Sequence, residues 1–152
     1  MIGKSRLLFE LSLAVTLTLI FVTDGRAQSA KGTWVDPSTG LMWASQDNDS
    51  NVSWNLANRY CSQLTTSDFR DWRLPSLAEL RNLYDPSATW AKHNLRAPIM
   101  LRHSSAWSAT MDNSNKARYE YFNFLDGKTY SHEPDFPGGE HVLCVRQVAR
   151  SK

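Results

Sequence analysis

Apolar residues are distributed along this chain in three ways. Residues 7–22, LLFELSLAVTLTLIFV, form an apolar run of 16 positions broken only by Glu10. It follows the basic MIGKSR and precedes TDGRAQSA, which places Gly25 and Ala27 at the −3 and −1 positions of a cut after Ala27. That layout predicts a secretory signal peptide over residues 1–27, with a second cut site after Ala30. The competing reading is a retained anchor, but a membrane span needs about 20 apolar residues. Nothing later in the chain reads as a span, and the remainder, residues 31–149, reads as one domain.

Beyond the leader the pattern shortens. TWVDPSTGLMWAS carries two aromatic-rich runs around Pro37 and Gly40, which predicts a β-hairpin. In SWNLANRYCSQL, Leu56, Tyr60 and Leu64 recur four apart with Ala57 and Cys61 beside them, predicting an amphipathic helix capped by Ser53 with Cys61 on its buried side. In DWRLPSLAEL, Pro75 holds Leu74 extended. Ser76 and Glu79 then form a capping box, and Leu77, Leu80 and Leu83/Tyr84 give a second helix its inward stripe. Trp72 and Leu74 share a side and Arg73 faces the other. Residues 85–104 read as a long irregular stretch. AWSAT is strand-like, RYEYFNFLDGKTYS is a hairpin turning at Asp126-Gly127, and EHVLCVRQV closes the chain as a strand. There His141, Leu143 and Val145 oppose Val142, Cys144 and Arg146. The fold class is α+β, with two short helices and antiparallel hairpins.

Charge excludes one class of partner. The chain has 17 basic and 15 acidic residues. Without Lys4, Arg6, Arg26, Glu10 and Asp24 of the leader, 14 and 13 remain, a net charge near +1. No whole-molecule field exists to attract nucleic acid. The two cysteines, Cys61 and Cys144, both follow the leader, and an exported chain with two cysteines is expected to join them. A catalytic or metal-bound thiol is the rival, without any CxxC or Cys/His spacing behind it.

The blocks DPSTGLMW, ANRYCSQL, DWRLPSLAEL, AWSAT and HVLCVRQ, in that order, resemble the DUF1566 family, the C-terminal domain type of a Legionella collagen-like adhesin. The resemblance covers about residues 33–147, and D-W-R-L-P followed by E-L is its most specific part. It implies a C-type-lectin-like single domain in which a helix cysteine pairs with one on the last strand, where Cys61 and Cys144 stand. It also implies binding of sulfated glycosaminoglycans. The chain has no collagen-like repeat, so presentation on a stalk does not carry over.

Four stretches carry candidate chemistry. Asp71, Trp72, Arg73, Leu74, Pro75 and Glu79 read as architecture. Arg73 clamps backbone carbonyls or a neighbouring acid among Trp72, Trp54 and Trp107, where a functional reading would make it a fork for sulfate or carboxylate. HEPDFPGGEH holds Glu133, Asp135 and Glu140 as candidate calcium ligands. Its E-P-D resembles lectin triplets, but the W-N-D partner motif is missing. DNDSN lacks the later Gly and Glu of a calcium loop and reads as a polar loop. Pro86 to Met111 contains no acid but carries Lys92, Arg96 and Arg102.

Those three cations, with Trp90 stacking on a sugar ring, predict capture of an anionic or sulfated glycan by a secreted or periplasmic protein. No G-x-S-x-G, H-E-x-x-H, Walker or Rossmann pattern occurs, so no enzyme and no cofactor other than calcium is expected. The alternatives are a subunit that docks another exported protein, and a metal-dependent lectin or enzyme site within residues 132–141.

Overall fold

A computed structural model describes residues 32–88 and 93–148. Two three-stranded antiparallel sheets share the chain. In the first, β1 (Thr33–Val35) pairs with β2 (Leu41–Ala44), and β2 pairs with β6 (Val145–Gln147). In the second, β3 (Ser105–Met111), β4 (Tyr119–Asn123) and β5 (Lys128–His132) form a meander. The helices are α1 (Trp54–Gln63) and α2 (Leu77–Leu83), with one 3₁₀ turn at Thr66–Asp68. The class is α+β, and among the described residues no helix is long and apolar enough to cross a membrane. The expected signal peptide lies outside the described residues.

Both sheets contribute side chains to two cores. Alternate residues of β2 enter different cores: Leu41 and Trp43 the first, Met42 and Ala44 the second. The same division separates Ala106 from Trp107, and Phe122 from Tyr121. Helix α2 covers the first core with Leu77, Leu80 and Leu83, and α1 covers the second with Ala57 and Cys61. Each buried leucine contributes about 1.5–3 kcal/mol. The closing segment runs between the cores, Leu143 and Val145 in the first and Val142 and Cys144 in the second. Its alternation was predicted, but ladder pairing is confined to Val145–Gln147.

Helix α1 starts at the predicted Ser53 cap, whose hydroxyl accepts from the Leu56 amide. Its inward direction differs from expectation. Leu56 is 51% and Tyr60 40% exposed, whereas Ala57 and Cys61 are fully buried. The Cys61–Cys144 disulfide, with a Cα–Cα distance of 5.5 Å, ties the helix down along this narrower stripe.

The stretch from Asp71 to Leu80 is architectural. Arg73 exchanges two 2.9 Å backbone hydrogen bonds with Val145, adding an extended segment beside β6. Its guanidinium grips both oxygens of Glu79 at 2.7 and 2.8 Å and also bonds the Leu74 carbonyl at 3.1 Å. That side chain is 47% exposed, so it is not enclosed by tryptophans as expected. Glu79 completes the capping box with Ser76. Burial pushes the Glu79 carboxyl up, but Arg73 and the Ser76 amide outweigh it and hold the group below its ordinary value. Asp71 meets Arg146 at 2.6 and 3.1 Å, and the Arg146 guanidinium lies 3.8 Å over the Phe69 ring.

Candidate functional site

Of the predicted cation group, Arg96 and Arg102 lie among the described residues, in different settings. Trp90 and Lys92 lie outside the described residues. Arg96 is occupied internally. It bonds Asp36 at 2.7 Å and Ser38 at 3.1 Å, and donates to the Asn82 carbonyl. Asp36 is fully buried at the β1–β2 turn, where Ser38 and Thr39 also donate to it. Burial pushes its carboxyl up and these donors bring it below the ordinary value. Arg96 therefore neutralises a buried acid, a structural role that the charge pattern did not indicate. Arg102 fits the expectation better. It is 57% exposed and pairs with Asp49, itself 64% exposed, at 3.2 Å.

The acid window is also dispersed. Glu133 pairs with Arg118 and Asp135 accepts from Asn55. Glu140 turns inward and accepts from Ser105. Each carboxylate serves a different segment, so the expected calcium set does not converge. Among the described residues no group of three or more His, Cys, Asp or Glu is arranged to hold a metal ion. The loop is instead fastened to α1 and its approach. The Asn55 amide donates to the Pro134 carbonyl, Asn51 bonds the Gly138 carbonyl, and Val52 bridges Glu140. Gly139 passes so close that a Cβ there would stand 1.8 Å from the Val52 carbonyl oxygen.

Behind these segments lies a polar cluster that the sequence did not suggest. Asp47, expected in a solvated loop, is buried. Its Oδ2 accepts from the Arg102 amide at 2.7 Å and faces His141 Nδ1 at 2.9 Å, and its Oδ1 accepts from the Asp49 amide at 3.1 Å. His103 stacks on His141 at 5.0 Å and contacts Ser105 at 3.1 Å. His132 is held between Tyr121 and Phe136 at 5.1 and 4.0 Å. Ser105 is 2% exposed, so its hydroxyl has no access to a polymer.

An open groove lies beside α1 and the end of β2. Its volume is about 380 Å³, and it is lined by Ser45, Gln46, Tyr60, Leu64 and Thr66 together with Gly32 and Ala44. The volume falls at the small end of ligand sites. Its position follows from α1. With Ala57 and Cys61 central to the buried stripe, the 3.6-residue period leaves Tyr60 and Leu64 on one flank, facing the end of β2. Across from them the Met100 amide bonds the Ser45 carbonyl at 2.8 Å, and the Asp47 amide bonds the Met100 carbonyl at 3.2 Å. Residues 100–102 thus run beside Ser45–Asp47, and the Arg102 amide donates to Asp47 Oδ2 at 2.7 Å. Burial pushes the Tyr60 hydroxyl above its ordinary value, and the Asp47 charge adds to this. The lining offers an aromatic ring, an amide and two hydroxyls with no formal charge. The sequence signal for it was present, since Cys61 fixes the helix direction, but the Leu56/Tyr60/Leu64 periodicity masked it.

A family model described as the Lcl C-terminal domain matches residues 32–146. No curated protein matches the chain.

Proposed function

The chain belongs to the Lcl C-terminal domain family, and from that membership we propose that it is an exported, non-catalytic binding module for an anionic glycan or a similar extracellular polymer. A sugar ring lies in the groove against Tyr60, Gln46, Ser45 and Thr66 form hydrogen bonds to its hydroxyls, and Arg102 meets a sulfate or carboxylate of the same polymer. The observation that carries this reading is the link through Asp47: its charge acts on Tyr60 in the wall of a hydrogen-bonding groove, and its Oδ2 accepts from the backbone amide of Arg102, whose guanidinium is exposed. Aromatic faces suit the apolar face of a pyranose, and an exposed guanidinium can take an anion in two-pronged fashion. Export rests on the leader-like residues 1–27. The helix-to-last-strand disulfide supports assignment of the fold to the C-type-lectin-like kind.

A glycan-array screen of the purified protein, with and without calcium and at two salt concentrations, tests the proposal. Anionic hits that weaken as salt rises are expected, because exposed charges are screened beyond about 10 Å at 0.1 M. Tyr60→Ala should weaken every hit about tenfold. Arg102→Gln should weaken only the anionic ones, and mainly at low salt. An array with no hits, together with a stable complex with another exported protein on gel filtration, would instead identify a docking subunit.

A further inference from the structure

The Arg102–Asp49 pair is constructed from beneath by one buried acid. The two oxygens of Asp47 hold the Asp49 amide and the Arg102 amide, at 3.1 and 2.7 Å. Asp47 thereby fixes the backbone under both partners, although they lie 53 positions apart in sequence. Asp49 takes φ +53°, the left-handed region that side chains other than glycine rarely enter. Above this anchor the ionic contact is open: Arg102 Nε and Asp49 Oδ1 are 3.2 Å apart and both side chains are more than half exposed. A pair so exposed contributes about 0.2–1 kcal/mol to stability. It is therefore easily broken, and an anion that approaches the exposed guanidinium competes with Asp49 for it.

Resting on the reading above, we propose that Asp49 is a built-in competitor for the anionic group of the ligand. In the free protein its carboxylate occupies Arg102. A ligand sulfate or carboxylate displaces it, and the displaced Asp49 then repels the same anion. Asp49 thus sets how much negative charge a ligand needs before Arg102 rewards it. Weakly charged polymers are disfavoured, and densely charged ones, which offer several anions to the same guanidinium, overcome the competition.

The expected effect of removing the competitor is a gain. With dextran sulfate as probe at low salt, Asp49→Asn should bind about 1.4- to five-fold more tightly than the wild type, the range set by an exposed pair. Arg102→Gln should bind more weakly, and Asp49→Asn combined with Arg102→Gln should match Arg102→Gln alone. An unchanged affinity for Asp49→Asn overturns the proposal, as does a gain that persists in the Arg102→Gln background, which would be a general effect of net charge. The Arg102 Nε–H resonance of the free protein gives a ligand-independent arm. It should shift in Asp49→Asn, and an unmoved resonance means that the pair does not form, whatever the binding data. If that resonance shifts while the wild-type protein binds neither dextran sulfate nor any array glycan, the proposed function falls while the pair stands, and Asp49 is then no competitor.

Discussion

Replacing Cys61 and Cys144 together by alanine isolates the contribution of the covalent tie between α1 and the last strand. The bridge spans a sequence separation of 83 residues. On the chain-entropy model, closing a loop of that length removes enough unfolded-state freedom to stabilise the fold by about 4.5 kcal/mol. Unfolding entropy of about 2.1 cal/mol/K per residue, over a domain of the matched length, converts this into a fall in Tm of about 15–20 °C. Both sulfurs are fully buried, so alanine also leaves small voids, and reduction of the unaltered protein is the cleaner arm. Thermal unfolding followed by circular dichroism, comparing oxidised protein, protein refolded in reductant and the double variant, should give two similarly lowered midpoints. A drop below about 5 °C in both arms would refute the reasoning. So would two thiols per native chain reacting with a thiol reagent, since that would mean the bridge does not form.

Gly139→Ala should lower stability by about 2–3 kcal/mol, the cost of forcing a methyl group into well-packed surroundings, because its Cβ would meet the Val52 carbonyl; Gly40→Ala, with open space around it but φ +69°, should cost only about 1–2 kcal/mol, and urea midpoints that fail to separate the two would contradict the contact. Glu79 is held below its ordinary value despite burial, so its contribution is present above the unfolded carboxyl range near 4.3 and is lost as pH falls through its lower folded value. The Tm of Glu79→Gln should therefore fall less than that of the wild type between pH 7 and pH 3, and parallel curves would count against the Arg73–Glu79 clamp. Leu56→Ser, on the exposed side of α1, should change Tm by no more than about 2 °C, as expected for a surface site; a large fall in a melting experiment would restore Leu56 to the core.

Features written in neighbouring residues were legible before the structure. The Ser76–Glu79 capping box, the Ser53 cap, the Asp126-Gly127 turn and the alternation through Val142–Val145 all depend on groups within a few positions of each other. Features that depend on distant partners were not. Arg96 and Asp36 are 60 positions apart, and His141 and Asp47 are 94 apart. Charge composition marks Arg96 as cationic but carries no information on which acid takes it. The same applies to Asp47 and Asn48. Their polarity suggested solvent, yet the folded chain uses both as acceptors for distant backbone amides, Arg102 and Val142. Of the predicted cations, Arg96 is described in an internal ion pair and Arg102 with an exposed side chain. The groove itself required knowing that α1 buries the narrow Ala57–Cys61 stripe and not the bulkier Leu56–Tyr60 one.

The passage of residues 142–145 between two cores has a consequence for engineering. Because successive side chains go to opposite faces, inserting or deleting one residue there would send every following side chain into the wrong compartment. The exposed turn around Asn113–Lys116, whose bonds are satisfied by its own polar groups, has no such constraint. A tag or a grafted loop placed at that turn should leave the protein intact, whereas the same length added before Cys144 should abolish a native fold.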